Sequence, residues 1–505
     1  MGYARLFSRA ECGLEAPLVT VEVHLSGGLP ALSIVGLAAT AVRESRDRVR
    51  GALLSSGFDF PVSRIIVNLA PADLPKHGGR FDLAIALGIL AASGQIPDDL
   101  LAGFESFAEL TLSGRLAPVT GVLPACLQTY NSRRQALVAT ANAPEAALPQ
   151  SASVLAANTL LDVAAHLQQR HALPEFHRSP SRPATPPLAD MGDVHGQAAA
   201  KRALEIAAAG GHNVLLEGPP GTGKSMLAAR LPGLLPPMST HEALECASIQ
   251  SLLGFHHEQH GCQQRPFRSP HHSATAPALI GGGSQPRPGE VSRAHNGVLF
   301  LDELPEFSRQ ALEMLREPLE SGRVHIARAA MSLSFPARFQ LIAAMNPCPC
   351  GYYGDLQREC RCSSEQVQRY RNRVSGPLLD RIDLSVSVAR VPFSTLTDQA
   401  VSESSARIAQ RVTAARDIAI QRQGVANASL PAAALRSMLA SKTDAMQLLA
   451  EAVDRFALSA RICHRVCRVA RTIADLAGQE IIMSAHMAEA LALRLDEVAI
   501  DTAVV

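Results

Sequence analysis

The sequence has no tryptophan and only five tyrosines, and aromatic residues make up 4% of it. Proteins that bind single-stranded nucleic acid by stacking its bases depend on aromatic side chains, so base stacking is not expected as the main binding mode. An excess of positive over negative charge is also missing, since the formal net charge is +1. Lysine occurs only at Lys76, Lys201, Lys224 and Lys442. Any contact with nucleic acid must therefore come from local arginine-rich surfaces.

Long apolar segments are missing as well. The longest uncharged apolar stretch, residues 83–96, is too short to cross a bilayer. Residues 1–17 carry arginine and glutamate without the apolar segment of a signal peptide. We therefore expect a soluble cytoplasmic protein with no membrane partner. Its ten cysteines would then be reduced thiols or metal ligands rather than disulfides.

One stretch has the pattern of a phosphate-binding loop. An apolar run at residues 214–216 predicts a buried strand, and the following G-P-P-G-T-G-K-S fits G-x-x-x-x-G-K-[ST]. Backbone N–H groups of such a loop surround phosphate oxygens, and the next helix points its positive end at them. Lys224 is expected on the β- and γ-phosphates of ATP, and Ser225 on Mg²⁺. The predicted loop comprises Gly218, Pro219, Pro220, Gly221, Thr222, Gly223, Lys224 and Ser225.

Further positions complete an ATPase pattern. An apolar strand ends in Asp302, which would hold Mg²⁺ through water, and Glu303, which would polarise the attacking water. The next predicted strand ends at Asn346, which would help to orient that water. Arg381 lies in L-L-D-R-I-D, where an arginine can reach the γ-phosphate of a neighbouring subunit. A salt bridge to a nearby aspartate is the alternative role for Arg381. Lys224, Asp302, Asn346 and Arg381, in this order, describe an AAA+ ATPase, and an arginine acting on a neighbour implies a ring.

Two insertions narrow the class of ATPase. The first, residues 265–290, contains R-P-F-R-S-P-H-H and three consecutive glycines, and the second predicts a hairpin with Arg328 near its tip. Hairpins at both places resemble the AAA+ branch of magnesium chelatases and MCM-type helicases. In the DNA motors of that branch such loops line the central pore. Arg265, Arg268 and Arg328 are therefore the candidates for DNA contacts.

Four cysteines have the spacing of metal ligands. Cys348 and Cys350 form one C-x-C pair, Cys360 and Cys362 form another, and nine residues separate the pairs. The glycine-containing stretch between them would let the pairs meet around a tetrahedral Zn²⁺. Such a site would be structural, because four thiolates leave no open coordination position. Thiols that only cluster in a loop are the alternative.

The N-terminal region predicts a mixed α/β domain at residues 1–165. Its stretch P-K-H-G-G-R-F-D, followed by an apolar helix, resembles the proteolytic domain of Lon. The place of the nucleophilic serine is taken here by Arg80 or Phe81, and no lysine occurs between Lys76 and Lys201. Because a Ser-Lys dyad cannot form, we expect a non-proteolytic interaction or assembly domain.

The remaining organisation follows from composition and periodicity. A proline-rich linker is predicted at residues 166–190, between the N-terminal domain and an ATPase core at residues 191–395. Residues 396–505 have helical periodicity and predict a lid that closes over nucleotide. Arg461 in this lid resembles the sensor-2 arginine, which would touch the γ-phosphate.

These motifs together resemble the ComM/YifB family of magnesium-chelatase-like AAA+ ATPases. The resemblance covers nearly the whole chain and rests on R-P-F-R-S-P-H-H-S-A-T, G-V-L-F-L-D-E-L-P-E-F, F-P-A-R-F-Q-L-I-A-A-M-N-P-C-P-C-G and L-L-D-R-I-D-L. It implies an α/β protein with a Lon-like (ribosomal S5 domain 2-like) N-terminal domain, an AAA+ P-loop core with a parallel sheet, and a C-terminal helical lid. It also implies a hexameric ring that uses ATP and Mg²⁺ to move single-stranded or branched DNA of any sequence, in branch migration during natural transformation. A magnesium-chelatase-like ATPase that remodels proteins is the alternative.

Overall fold

The computed structural model of the protein describes residues 2–36, 39–74, 76, 78–177, 188–254, 264–283, 286–328, 331–355, 357–392, 395, 402–439 and 443–502. The strands are β1 (Gly2–Arg9), β2 (Leu18–Ser26), β3 (Ala31–Val35), β4 (Arg64–Ala70), β5 (Phe104–Phe107), β6 (Glu109–Leu110), β7 (Leu116–Ala117), β8 (Gln135–Ala139), β9 (Val154–Ala157), β10 (Val214–Glu217), β11 (Phe267–Arg268), β12 (Gly281–Gly282), β13 (Arg287–Pro288), β14 (Val298–Leu301), β15 (Arg323–Arg328), β16 (Met331–Pro336), β17 (Gln340–Met345) and β18 (Leu384–Ser387). The helices are α1 (Ala39–Ser55), α2 (Asp82–Ala92), α3 (Val122–Asn131), α4 (Ala143–Ala146), α5 (Leu160–Leu167), α6 (Ala198–Gly210), α7 (Lys224–Ala228), α8 (Thr240–Leu252), α9 (Ala276–Ile280), α10 (Glu290–Arg293), α11 (Arg309–Met314), α12 (Arg316–Ser321), α13 (Ser364–Arg371), α14 (Gly376–Leu379), α15 (Ser405–Gln423), α16 (Ala432–Leu439), α17 (Asp444–Phe456), α18 (Ala460–Leu476) and α19 (Ser484–Thr502). Among the helices so described, none combines the length and the apolar character that crossing a membrane requires.

The first sheet has seven strands in the order β3-β4-β2-β1-β5-β8-β9. Strands β1, β2 and β4 pair antiparallel, whereas β1, β5, β8 and β9 run parallel. Strand β2 alternates between buried and more exposed residues, as a strand with one face on a core does. Helix α2 packs on β1 and β2 and is buried almost throughout, which explains its uniformly apolar sequence.

The first sheet extends further along the chain than the sequence predicts. A linker was expected from residue 166, yet α5 continues to Leu167, and Leu173 is buried in the core of this sheet. The Phe176 N–H also donates to the Val154 carbonyl oxygen at 2.8 Å. The chain therefore remains packed on the first sheet until Phe176, because apolar side chains of the predicted linker complete that core. The most proline-rich part, residues 178–187, lies outside the described residues.

The second sheet has five strands, all parallel, in the order β11-β14-β17-β10-β18. Strands β14 and β17 are buried along their whole length, as strands covered on both faces are. Val214 and Leu216 of β10 belong to one hydrophobic cluster, and Leu215 between them belongs to another on the opposite face. The predicted α/β class and parallel core sheet are confirmed.

The C-terminal helices form the predicted helical region. Helices α15 and α18 pack on α6, and α19 packs on β18. Their apolar residues join the same cluster as Val214 and Leu216 of β10. The helical region is therefore continuous with one face of the core sheet.

Two hairpins project from the core, β12–β13 and β15–β16. The two hairpins lie against each other. Gly281 of β12 is so close to Ile326 of β15 that a Cβ atom placed on this glycine would lie 2.8 Å from the Ile326 side chain. The second hairpin also meets the N-terminal region, since Leu333 packs in both cores and Phe335 lies against Gly13. The N-terminal region thus supports the root of a hairpin that belongs to the core.

A buried ion-pair network stabilises the first sheet around Glu105. This carboxylate is fully buried and accepts hydrogen bonds from Arg9 Nε at 2.6 Å, Arg134 Nη1 at 2.9 Å and Thr129 Oγ1 at 2.7 Å. Removing one partner of such a network leaves an uncompensated charge in the interior.

We predict that Glu105→Gln lowers the free energy of unfolding by about 3–5 kcal/mol, because it leaves the buried Arg9 guanidinium without its counter-ion. Urea denaturation followed by circular dichroism measures this change. Glu365→Gln is the matched control, since Glu365 forms an exposed pair with Arg369, and we expect it to unfold like the wild type. Equal stability of the Glu105→Gln variant would contradict the network's stabilising role.

Candidate nucleotide-binding site

The predicted phosphate loop leaves the carboxyl end of β10 and enters α7. A Cβ added at Gly218 would lie 2.3 Å from the Val388 carbonyl oxygen, so no side chain fits there. Gly221 and Gly223 have φ values of +79° and +89°, a backbone conformation that glycine adopts without strain. The pattern of glycines is thus explained by close backbone approach and by positive φ angles.

Lys224 is folded back over this loop. Its Nζ donates to the carbonyl oxygens of Gly218 and Pro219 at 2.6 and 2.9 Å, and to Asn346 Oδ1 at 3.1 Å. Burial lowers the pKa of its ammonium group, and the nearby Asp302 carboxylate opposes that shift. The loop and the end of β17 therefore meet at one charged group, as the sequence predicts.

Ser225 and the acidic residues after β14 lie beside Lys224. Ser225 Oγ donates to Asp302 Oδ2 at 2.6 Å, and the Glu303 N–H donates to Asp302 Oδ1 at 2.9 Å. The structure thus brings the carboxyl ends of β10, β14 and β17 together at one edge of the sheet. An alcohol and a carboxylate in contact are oxygen ligands of the kind that Mg²⁺ takes.

The sequence reasoning missed the partner of Glu303. His272 Nδ1 lies 2.9 Å from Glu303 Oε2, and its imidazole lies beside that of His271, with ring centroids 4.1 Å apart and ring planes inclined by 36°. Glu303 itself has a φ of +53°, which is unusual for a residue with a side chain. This partner could have been suspected from the pair of histidines that follow β11, because β11 ends at the same edge of the sheet as β14.

A second site lies at the opposite edge of the sheet. A cavity of ≈ 690 Å³ is bounded by the residues that precede the core strands, including Asn213, Gly297 and Asp383. The arginines that line it are Arg265, Arg338, Arg381, Arg416, Arg461, Arg465 and Arg468. Burial, together with Arg265, lowers the pKa of Arg416 to about 10. The concentration of guanidinium groups marks this cavity as a candidate anion site.

Arg381 is anchored in this cavity by groups other than the nearby aspartates. It donates to the Pro377 carbonyl oxygen at 2.5 Å and pairs with Glu320, while Asp383 pairs with Arg465. Its Nε is buried and has no partner among the described residues. Burial lowers the pKa of Arg381, and the nearby Glu320 carboxylate opposes this shift. The alternative of a salt bridge to a nearby aspartate is not the arrangement found.

Arg461 lies in the same cavity as Arg381. The sequence predicts a lid that closes over nucleotide, with Arg461 at the γ-phosphate. In the structure α18 is held against the amino-terminal ends of the strands by the pair Arg465–Asp383 and by Thr472 Oγ1, 2.8 Å from His212 Nε2. Arg461 therefore lies across the sheet from the phosphate loop of its own chain.

The three predicted DNA-contact arginines have different surroundings. Arg265 donates to the Pro236 and Asn296 carbonyl oxygens, both at 2.7 Å, and Arg268 forms a two-point pair with Glu290 at 2.6 and 3.0 Å. Both guanidinium groups are thus engaged within the chain. Arg328 ends β15, and its side chain lies outside the described residues. Its contact with DNA remains a prediction.

Two other arginines on the hairpins are exposed. Arg287 on β13 and Arg323 on β15 face solvent, and neither forms an ion pair among the described residues. Neither is among the arginines that the sequence predicts to contact DNA. The exposure of Arg323 could have been predicted from the alternation of side chains along β15, since Val324 and Ile326 are buried on the other face of this strand.

The four predicted metal ligands come together. The Cys348 sulfur lies 3.3 Å from that of Cys350 and 3.7 Å from that of Cys360, and all four ligand atoms lie within 4.8 Å of one another. With Zn–S bonds of about 2.3 Å, the sulfurs of a tetrahedral site would be about 3.8 Å apart. The cluster is therefore compatible with a zinc site.

Comparison with known proteins gives matches along most of the chain. Residues 21–142 match the family "Subunit ChlI of Mg-chelatase", residues 190–396 match "Magnesium chelatase, subunit ChlI", and residues 402–494 match "Magnesium chelatase, subunit ChlI C-terminal". The three matches together include the second sheet, most of β2 and the strands β3, β4, β5 and β8 of the first sheet, and most of the C-terminal helical region, whereas β1 and β9 lie outside them.

Some individual relatives match over nearly the full length of the chain, and others over part of it. The chain is 50% identical to competence protein ComM of Haemophilus influenzae over 500 residues, which is 98% of each chain. It is 48% identical to YifB of Escherichia coli over 98% of this chain and 97% of that protein. The magnesium-chelatase 67 kDa subunit of Heliobacterium mobile is 30% identical, over 32% of this chain and 29% of its own.

Proposed function

Because this chain belongs to the ComM/YifB family of magnesium-chelatase-like AAA+ ATPases, we propose that it is a ring-forming, ATP-driven DNA motor. The observation that carries the proposal is the placement of two half-sites on opposite edges of one sheet. Lys224, Ser225 and Asp302 lie at the carboxyl edge, and Arg381 and Arg461 lie at the amino edge. Neighbouring chains in a ring can join these edges into complete sites.

The proposed site divides ATP hydrolysis among these residues. The loop N–H groups and Lys224 bind the phosphates, and Ser225 and Asp302 hold Mg²⁺, which neutralises charge on the phosphate oxygens. Glu303 accepts the hydrogen bond of the attacking water, and Asn346 orients that water. In the described state His272 Nδ1 lies 2.9 Å from one of the two Glu303 carboxylate oxygens, Oε2.

We predict that Glu303→Gln lowers the ATP hydrolysis rate by about 10²-fold or more and leaves ATP binding intact, because only polarisation of the water is lost. Phosphate release and the affinity for a fluorescent ATP analogue measure the two properties. Glu306→Gln is the control, since Glu306 lies nearby and forms a part-exposed pair with Arg373. Wild-type turnover by the Glu303→Gln variant would overturn the assigned role.

The opposite-edge position of the arginines predicts that they act on a neighbour's ATP. The Nε of Arg381 supports this role, because it is a buried donor with no partner in the described part of the chain and can donate to a phosphate oxygen. Arg461 in the same cavity would act on that same phosphate. We therefore assign both arginines to the site of the adjacent subunit, in a ring that we propose to be a hexamer.

We predict that Lys224→Ala and Arg381→Ala chains, each inactive alone, regain part of the ATPase activity when mixed. At some interfaces the intact loop of one chain then meets the intact arginine of the other. Mixing Lys224→Ala with Asp302→Ala is the matched control, because both changes damage the loop edge and every interface stays defective. Equal activity of the two mixtures would contradict the assignment of Arg381 to a neighbour.

The hairpins are the proposed DNA-contacting elements. Strands β12–β13 and β15–β16 touch each other, and each carries an exposed arginine, Arg287 or Arg323. Phosphate contacts by arginine carry no sequence information, so binding should be independent of sequence and sensitive to salt. The low aromatic content agrees with contacts to the backbone rather than to bases.

We predict that DNA stimulates the ATPase several-fold at low salt and that Arg287→Ala and Arg323→Ala reduce this stimulation. The measurement compares single-stranded, duplex and four-way-junction DNA, and a preference for junctions would support branch migration. Arg369→Ala is the control, since Arg369 is exposed on α13. A rate indifferent to every DNA would overturn the motor and favour protein remodelling, the class suggested by the magnesium-chelatase relative.

We further assign Cys348, Cys350, Cys360 and Cys362 to one structural Zn²⁺. The sulfur–sulfur distances and the lack of an open coordination position support this assignment.

A further inference from the structure

We propose that the four-cysteine metal site holds the phosphate loop in the shape that binds ATP, so that ATP affinity depends on the bound Zn²⁺. This inference rests on the proposed ATPase and zinc assignments and extends them. The segment in question, residues 346–371, begins at Asn346 and ends with α13. It is called the cysteine segment below.

The first half of the cysteine segment lies directly against the phosphate loop. Asn346 binds the Lys224 ammonium group and stands two residues before the first cysteine, Cys348. Gly351 follows the second cysteine with a φ of +84°, and a Cβ added there would lie 2.7 Å from Pro220 Cδ. The first C-x-C pair therefore lies, along the sequence, between two residues that contact the phosphate loop, Asn346 and Gly351.

Other contacts bind the segment to β10, which leads into the loop, and to the residues that follow β18. Arg371 at the end of α13 donates to Glu217 Oε1 at 2.5 Å and to the Pro347 carbonyl oxygen at 3.4 Å. Arg390, just beyond β18, donates to the Asp355 carboxylate at 3.0 Å. Because Glu217 immediately precedes the loop, movement of the cysteine segment would be transmitted to the loop's first residue.

The stretch between the two C-x-C pairs has few buried side chains among its described residues. Of the four thiols only Cys348 is fully buried, and most side chains between the two C-x-C pairs are half-buried or exposed. Sulfur is a weak hydrogen-bond donor and acceptor, so four neutral thiols contribute little cohesion. A metal joined to all four sulfurs would serve as the core of this segment, as it does in small metal-dependent folds.

The test measures zinc content and ATP binding separately. The variants are Cys360→Ser/Cys362→Ser, which removes two ligands, and Arg371→Gln, which keeps all four thiols but loses the contact with Glu217. Cys463→Ser is the matched control, because Cys463 is a buried thiol of α18 outside the cluster. Zinc per chain is measured by elemental mass spectrometry, and affinity with a fluorescent ATP analogue in the presence of Mg²⁺.

We expect one Zn²⁺ per wild-type chain and none in the double variant, with ATP affinity lowered about tenfold or more, since small displacements of positioning groups have effects on this scale. Arg371→Gln should keep the zinc and still bind ATP more weakly, and Cys463→Ser should match the wild type in both measurements. If the double variant does not fold, a zinc-selective chelator applied to the wild type replaces it. Adding Zn²⁺ back should then restore the ATP affinity.

Three results would overturn the inference at different steps. A zinc-free protein that binds ATP as tightly as the wild type would exclude the coupling and leave the zinc site in place. A wild-type protein that neither contains nor takes up zinc would exclude the metal site. A wild-type protein that contains zinc but binds no ATP would contradict the proposed ATPase, and with it the inference.

Discussion

The common direction of the five core strands is the constraint on which the rest of this structure depends. Since β10, β14 and β17 run parallel, the residues that follow them must meet at one edge, and Lys224, Asp302 and Asn346 do so within hydrogen-bonding distance of one another or of Ser225. The same direction gathers the residues that precede the strands at the other edge. One chain therefore carries two different half-sites that it cannot join to each other, which is the physical basis for proposing a ring.

The N-terminal region contacts the ATPase core at α8 and at the second hairpin. Gly121 and Leu123 donate through their N–H groups to Ser251 in α8, at 3.0 and 3.3 Å, and Phe335 of the second hairpin lies against Gly13. Arg80 supports this contact, because its buried guanidinium binds the carbonyl oxygen of Thr120, next to Gly121. In the Lon comparison a serine would stand near this position. Here the position holds a buried structural cation.

Features encoded in contiguous sequence could be predicted, whereas those set by packing between distant elements could not. The loop from Gly218 to Ser225, the strand ending in Asp302 and the hairpin around Arg328 each follow from local chemistry, and the structure places them as expected. The side of the sheet on which Arg461 lies depends on how α18 docks, through Arg465 and the buried His212, and no local pattern records that choice.

Lysine is scarce in this chain, and the cavity at the amino edge of the core sheet is lined by arginine instead. Seven arginines line the cavity with only three carboxylates, those of Glu320, Asp380 and Asp383. Guanidinium groups keep their charge when buried, so this excess cannot be relieved by deprotonation as it could with lysine. Burial and neighbouring guanidinium groups disfavour the charged form of Arg381 and lower its pKa, a cost that Glu320 opposes. A neighbour's triphosphate would offset that cost, so that in the proposed ring ATP binding and subunit assembly favour each other.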